Sequence, residues 1–165
     1  MPKTALKSKP VAKKKTSTAK VSPKPEGYSW VSPYLTVKDP TAAVAWYQKA
    51  FGFQKKYAME EGGKVKHAEL TYQDNTIMLG PECPQQNSYG PAYYKGTPTT
   101  FYVYTTDVDK VTAQAKKAGA RIAIEPKTEH WGDRISLVID PEGHQWMFAT
   151  RVSETCGGES ASCSN

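Results

Sequence analysis

The feature that most constrains the fold is a strand–helix unit near residue 34. Leu35 and Val37 alternate with more polar neighbours, which is the periodicity of a strand with one buried face. Asp39 is suited to cap a helix, Pro40 is suited to its first turn, and Gly52 is suited to end it. The spacing therefore predicts a strand, a tight turn and a helix over residues 40–51.

A second copy of this unit begins near residue 102. Residues 101–106 have strand character, and Asp107 precedes a helical pattern that stops at Gly119. Three residues recur 68 positions later and one glycine recurs 67 positions later. These matches are Asp39 with Asp107, Lys49 with Lys117, Ala50 with Ala118, and Gly52 with Gly119.

Each helix is followed by strand-like segments. They lie at 53–59, 65–73 and 76–80 in the first half, and at 121–125, 135–139 and 144–149 in the second. Turn sequences at 74–75 and 140–143 close a hairpin in each half, and residues 81–98 join the halves as a long loop. The order β-α-β-β-β occurs twice, so we expect an α+β fold of two βαβββ modules, at about 30–80 and 99–150.

The net charge of +6 does not describe the folded part. Residues 1–26 hold eight of the 22 basic residues and one acid, so the remainder has 14 basic and 15 acidic residues, about −1. This Lys/Pro/Ser-rich segment has no aromatic residue, and we expect it to be a disordered tail before a domain at 27–152. Residues 153–165 are expected to be a flexible C-terminal tail.

The basic tail has two interpretations. It can be a solubilising extension, or it can contact nucleic acid weakly and without sequence specificity through phosphate charge. The odd number of cysteines and the lack of a secretory signal favour a cytoplasmic location, and no apolar run is long enough for a membrane span. Cys156 and Cys163 read as flexible thiols, with a redox switch as the alternative.

Four stretches of the sequence are informative when taken together. They are PYLTVKDP at 33–40 with FG at 51–52, HAEL at 67–70, WGDR at 131–134, and DPEGHQW at 140–146. Together they are similar to the vicinal oxygen chelate superfamily, which includes glyoxalase I, bleomycin-resistance proteins and extradiol dioxygenases. Within it the chain most resembles the PhnB-like glyoxalase group. The resemblance implies two βαβββ modules with curved mixed sheets around a cleft, helices on the outer face, and often a homodimer.

The resemblance also implies where metal-dependent members carry their four ligands. Those positions fall here on Ser32, Met78, Phe101 and Met147, none of which is a good ligand for Zn²⁺, Ni²⁺ or Fe²⁺. We therefore expect no metal and no other cofactor, and glyoxalase I or dioxygenase activity is not expected.

Hairpin register predicts which side chains line the cleft. With the turn at 74–75, His67, Glu69 and Met78 share one face of the first sheet. Pairing Ile139 with His144 places Arg134, Ser136 and Met147 together in the second sheet. The full expected lining is Ser32, Tyr34, Thr36, His67, Glu69, Thr71, Met78, Phe101, Val103, Arg134, Ser136, Gln145 and Met147.

His67 and Glu69 are the candidate catalytic pair, because a carboxylate beside an imidazole can orient it for acid–base work. They can also be a structural pair or half of a displaced metal site. Arg134 can clamp a carboxylate or form a salt bridge, and Trp131 can stack on a planar ligand or pack at a dimer contact.

The sequence thus predicts a metal-free protein that binds a small organic molecule in a sheet cleft, as a homodimer. The first alternative is a lyase or isomerase that uses His67 and Glu69 as an acid–base pair or as displaced metal ligands. The second is a nucleic-acid-associated protein that acts through its tail.

Overall fold

The computed structural model describes residues 21–154, which fold into two four-stranded sheets and two α-helices. A short 3-10 helix at Pro84–Gln86 lies in the segment between the two halves. The elements are β1 (Tyr34–Val37), α1 (Pro40–Phe51), β2 (Gln54–Glu61), β3 (Lys64–Tyr72), β4 (Asn75–Pro81), β5 (Thr100–Tyr104), α2 (Val108–Lys117), β6 (Arg121–Thr128), β7 (Asp133–Ile139) and β8 (Gln145–Arg151).

Both helices begin at the aspartates that the sequence indicated. The Asp39 carboxylate accepts hydrogen bonds from the backbone N–H groups of Thr41 and Ala42, at 2.9 and 3.1 Å. Asp107 accepts from the backbone of Lys110 at 2.9 Å. Gly52 then ends α1 with a φ of 72°, a left-handed conformation that favours glycine. The predicted bounds of the first helix, 40–51, are confirmed.

The duplication is visible in the sheets. Sheet 1 has the strand order β1-β4-β3-β2 and sheet 2 has the order β5-β8-β7-β6. The first strand of each module pairs in parallel with the last, and the other neighbours are antiparallel. The predicted α+β architecture of two βαβββ modules is confirmed.

One core serves both modules. The ring of Phe51 in α1 lies 4.8 Å from the ring of Phe148 in β8, and Phe53 lies 5.6 Å from Trp146, between ring centroids. The helices also meet directly, since the indole N–H of Trp46 donates to the carbonyl of Ala118 at 2.8 Å. Each sheet therefore packs one face against the shared core and turns its other face, here called its open face, away from it.

A buried polar network lies at the edge of this core. The hydroxyl of Tyr47 and the indole N–H of Trp146 both donate to the Asp140 carboxylate, at 2.6 and 2.9 Å. Burial, together with the charge of Asp140, raises the pKa of Tyr47 well above its ordinary value. The turn after β7 is thereby fixed to α1 of the other module.

The two hairpins differ from their predicted registers by different amounts. In the first, Glu69 pairs with Met78 and Thr71 with Thr76, a shift of two residues that leaves every side chain on its predicted face. In the second, Ile139 pairs with Gln145, and Leu137 pairs with Met147. This shift of one residue moves all of β7 to the opposite face.

Four residues of the expected cleft lining lie on the helix side of sheet 2 instead. The expectation that Arg134 and Ser136 share a face with Met147 is wrong, because both lie on the helix side and contact α2. Phe101 was also assigned to the wrong face: it pairs with Trp146, and their rings lie 4.8 Å apart at the core. Val103, on the same side of β5, packs against the core as well.

No helix within residues 21–154 is long and apolar enough to cross a membrane. The predicted tail at 1–26 falls mostly outside the described residues, as do the predictions for Cys156 and Cys163. Residues 21–26 are described, and Lys24 within them donates to the carbonyl of Tyr28 at 2.6 Å. The proposed domain boundaries remain predictions.

Candidate functional site

A row of large side chains crosses the open face of sheet 1. Strand pairing places Tyr34 beside Met78, Met78 beside Glu69, and Glu69 beside Tyr57, so the row contains one residue from each of the four strands. Tyr34 is 57% exposed and Tyr57 is also exposed, whereas Glu69 is only 8% exposed. The face thus presents two aromatic rings and a thioether around one nearly buried carboxylate.

His67 lies on the same face, two residues before Glu69. Its Nε2 atom is 3.4 Å from Glu69 Oε1, and its Nδ1 atom is 3.4 Å from the hydroxyl of Tyr34. The rings of His67 and Tyr34 are stacked with 5.7 Å between centroids. The predicted neighbourhood of His67 and Glu69 is therefore present, and Tyr34 fixes the other side of the imidazole.

A segment before β1 covers part of this face. We call residues 23–32 the N-terminal strap. The hydroxyl of Tyr28, within the strap, donates to Glu69 Oε2. This hydrogen bond to the carboxylate, with smaller effects of burial and of the charge of Glu69, raises the pKa of the Tyr28 phenol. The ammonium of Lys56 lies 3.3 Å from the centroid of the Tyr28 ring, a cation–π contact.

The strap and the sheet border an open pocket of about 560 Å³. Ser32 and Met78, both expected ligand-binding residues, line it together with Glu69. Trp30 and Tyr28 contribute its aromatic wall from the strap. This volume lies within the range of roughly 300–1,000 Å³ that is typical of small-molecule sites.

Thr36 lies farther along β1, where the segment between the modules covers it. Its hydroxyl is 3.0 Å from that of Ser88. A separate cavity of about 340 Å³ lies here, bordered by Tyr34, Thr36 and His144. Thr36 therefore lies near the open face of sheet 1 but borders a different cavity from the one at the strap.

The open face of sheet 2 has its own carboxylate. Asp133, which is 2% exposed, accepts hydrogen bonds from the hydroxyls of Tyr102 and Tyr104 at 2.9 and 3.1 Å. Arg151 donates to its other oxygen at 3.1 Å and to the carbonyl of Trp131 at 2.8 Å. Met147 lies on this face too.

These contacts shift three pKa values. Burial opposes ionisation of Asp133, but the hydrogen bonds from Arg151 and the two tyrosines outweigh it and hold the pKa of Asp133 below its ordinary value. Burial and the hydrogen bond to Asp133 raise the pKa of Tyr102, and the hydrogen bond to Asp133 is the main cause that raises the pKa of Tyr104. The network is satisfied by residues of sheet 2 and the loop beside it.

The expected site residues do not converge in one cleft of a single chain. Ser32, Tyr34, His67, Glu69 and Met78 lie on or beside the open face of sheet 1. Met147 lies in β8 of sheet 2 and Trp131 in the loop before β7, across the shared core. Arg134 forms a two-pronged ion pair with Asp109 of α2, at 2.7 Å for each contact, and the hydroxyl of Ser136 accepts from Thr112 at 2.8 Å.

Sequence reasoning missed Tyr28, Tyr57, Tyr102 and Tyr104. The stretch 101–104 is aromatic or apolar at every position, so its alternation gives no direction. Tyr57 lies in a strand with no buried residue, so no apolar alternation distinguishes its two faces. Tyr28 precedes the first strand, and nothing in the sequence connects it with Glu69, 41 positions later.

The residues at the four positions where metal-dependent relatives carry their ligands are not suited to bind a metal ion. They carry a hydroxyl, two thioethers and a phenyl ring, and the structure spreads them over two open faces and the core. Among residues 21–154, no three His, Cys, Asp or Glu side chains are grouped so that they can hold a metal ion.

Comparison with known proteins identifies the family. The sequence profile described as the Glyoxalase/Bleomycin resistance protein/Dioxygenase superfamily matches residues 28–148. The chain belongs to this superfamily. The PhnB-like subgroup remains a prediction.

Two kinds of relative support this assignment. The uncharacterized protein Mb0911c of Mycobacterium bovis is 37% identical over 133 residues, which cover 75% of this chain and 84% of that protein. TioX from Micromonospora sp. ML1 has a similar solved structure, with a TM-score of 0.62 and 29% identity, covering 75% of this chain and 99% of TioX. A glyoxalase/bleomycin resistance protein/dioxygenase family enzyme from Burkholderia phytofirmans PsJN has a TM-score of 0.59 at 19% identity over 76% and 98% of the two chains, which is a similarity of fold alone.

Proposed function

We propose that this protein binds a small, planar organic molecule on the open face of sheet 1 and acts by binding it rather than by transforming it. The observation that carries the proposal is the row of Tyr34, Met78, Glu69 and Tyr57 across all four strands. Exposed rings and a thioether supply apolar contact, and one carboxylate supplies orientation. The name of the superfamily includes bleomycin-resistance proteins, which is consistent with such a role.

The proposal includes a homodimer. The open face of sheet 2 also exposes large rings, those of Tyr102, Tyr104 and Trp131. Faces of this kind are rare in monomeric proteins, and contiguous exposed apolar surface usually marks an interaction site. A second copy that places its sheet 2 over sheet 1 would form a cleft with aromatic walls on both sides. Sedimentation velocity tests this directly: we expect a dimer, and a strict monomer at micromolar concentration contradicts it.

Thermal-shift measurements with a panel of planar aromatic compounds test the binding function. We expect at least one compound to raise the melting temperature of the wild type, and the shift to disappear in Tyr34→Ala. The matched control is Tyr93→Ala, since Tyr93 is 59% exposed, much like Tyr34, but stacks on Tyr89 in the segment between the modules. A shift lost equally in both variants, or seen with no compound, contradicts the proposal.

A second candidate is acid–base catalysis by His67 and Glu69. The observation in its favour is their 3.4 Å separation beside a cavity. An NMR titration of His67 in the wild type and in Glu69→Gln separates the candidates. Catalytic coupling requires different titration curves in the two proteins, whereas identical curves leave binding as the better account.

We also propose a cytoplasmic location, supported by the odd number of cysteines in the sequence. Cell fractionation of a strain expressing the full chain tests it, and recovery outside the cytoplasmic fraction contradicts it.

A further inference from the structure

Tyr28 occupies the part of the open face that offers the best-defined polar contact. Its hydroxyl donates to Glu69, its ring lies against the ammonium of Lys56, and Lys56 also donates to the carbonyl of Gly27 at 3.1 Å. The chain thus supplies its own neutral hydroxyaromatic ring to a carboxylate and a cation on sheet 1.

The strap that carries Tyr28 is only lightly attached. Residues 21–33 belong to no helix or strand. Apart from the contacts of Tyr28 and Gly27, its side-chain hydrogen bonds to the sheet come from Ser29, at 3.3 Å to the Asn75 side chain and 3.4 Å to the Asp74 carbonyl. Segments with few buried contacts and exposed hydrogen bonds open at low free-energy cost, so the strap can release Tyr28 without disturbing the core.

We propose that the open face of sheet 1 is specific for phenols: the ligand hydroxyl donates to Glu69, its ring contacts Lys56, and Tyr28 holds this position when no ligand is bound. This inference rests on the proposed binding function and adds the ligand class and an internal competitor. The cavity bordered by Trp30, Ser32 and Met78 provides the room beside Tyr28 into which the ligand enters.

The charges around the position explain why a phenol fits better than other aromatic compounds. A ligand carboxylate in place of the hydroxyl would meet the Glu69 carboxylate and be repelled by it. A methyl ether has the same ring but no donor, and it would leave the nearly buried Glu69 oxygen unpaired. A neutral ring with one hydroxyl satisfies both residues.

The experiment compares 4-ethylphenol with 4-ethylanisole by isothermal titration calorimetry on the full chain. Tyr28→Ala removes the internal ring, and Tyr28→Phe keeps the ring but removes its hydroxyl. Tyr93→Ala is the control. Because apparent affinity falls with the fraction of open molecules, we expect Tyr28→Ala to bind 4-ethylphenol about tenfold or more tightly than the wild type does. Tyr28→Phe is expected to lie between them, and Tyr93→Ala to match the wild type.

The hydroxyl preference is measured in the Tyr28→Ala background. We expect 4-ethylphenol to bind about tenfold or more tightly than 4-ethylanisole, and Glu69→Leu in the same background to abolish the difference. Circular dichroism confirms that each variant is folded.

The failures of the two proposals are distinguishable. If both compounds bind Tyr28→Ala equally, or if Tyr28→Ala and Tyr28→Phe bind no more tightly than the wild type, the phenol inference is overturned while aromatic binding stands. It is likewise overturned if neither compound binds although other planar aromatics stabilise the protein through Tyr34. If no aromatic compound binds any variant, the proposed function fails together with the inference.

Discussion

The two modules each place a nearly buried carboxylate on the third strand of their sheet, facing outward, but they satisfy it in different ways. In sheet 2, Asp133 accepts from Tyr102 and Tyr104 of β5 and from Arg151 of β8. In sheet 1, Glu69 accepts from Tyr28 of the strap and lies beside His67. Neither of these two polar contacts comes from β1 or β4.

This difference indicates that Asp133 has a structural role, whereas Glu69 is available to bind a ligand. All the donors to Asp133 belong to β5 and β8, two strands that pair with each other, so their backbones are fixed within sheet 2. The donor that covers Glu69 can leave with the strap. The duplicated fold therefore has one face whose polar groups are already satisfied, and one face whose carboxylate can accept a hydrogen bond from a ligand.

The largest expected effect comes from removing the Asp133 charge. Asp133→Asn leaves Arg151 without its carboxylate and gives the two tyrosine hydroxyls a weaker acceptor, so we expect the folding equilibrium constant to fall by about tenfold or more. In contrast, Glu69→Gln should change the free energy of unfolding by less than about 1 kcal/mol, since water can reach the site when the strap opens. Urea denaturation of both variants measures this, and equal losses would remove the distinction between the faces.

The same comparison predicts a pH dependence. The pKa of Asp133 is lowered in the folded protein, so its ionisation stabilises the fold above the ordinary carboxyl range and that stabilisation is lost as the pH falls through the lowered value. The stability difference between wild type and Asp133→Asn should be full at pH 6 and shrink below about pH 3.9. A difference that is constant from pH 6 to pH 2 contradicts the assigned network.

The hydrogen bond of Tyr28 should depend on pH in the alkaline range instead. Its pKa is raised, so its hydrogen bond to Glu69 stabilises the closed strap below the ordinary tyrosine pKa of about 10 and is lost as the pH rises through the raised value. Trp30, two residues away, reports strap opening through its fluorescence. We expect an alkaline transition in the wild type that Tyr28→Phe lacks, and the same transition in both proteins would assign it to other tyrosines.

The two hairpins show how far the sequence predicts the faces. The first has a two-residue turn at 73–74, where Gln73 adopts a φ of 51°, and the pairing error of two residues left the side chains of β3 and β4 correctly placed. The second has a longer turn whose pairing depends on hydrogen bonds between Asp140 and His144. There an error of one residue reversed β7, because its alternation of apolar and polar residues does not mark one face clearly.

Sequence periodicity could not predict how the two modules pack against each other. A repeat predicts two similar sheets, but not that their helix sides meet in one core. That arrangement depends on contacts such as the one between Phe53 and Trp146, residues 93 positions apart. For the same reason, no local sequence pattern predicts that the strap contacts Glu69.

The smallest expected effect concerns Arg134, which the sequence had placed in the ligand site. Since Arg134 pairs with Asp109 on the helix side, Arg134→Gln should leave ligand affinity within about twofold of the wild type. Tyr34→Ala, at the row on sheet 1, should abolish detectable binding in the same titration. A large loss of affinity in Arg134→Gln would return the site to sheet 2.

The most direct test follows the tyrosine rings by NMR, with ¹³C-labelled tyrosine in the full-length protein, as 4-ethylphenol is added. Our account predicts that the Tyr28 signals move toward those of a free tyrosine in proportion to saturation, whereas Tyr102 and Tyr104 keep their hydrogen bonds to Asp133. Tyr28→Phe identifies the Tyr28 signals. Binding that shifts Tyr102 and Tyr104 but leaves Tyr28 at Glu69 would contradict the account.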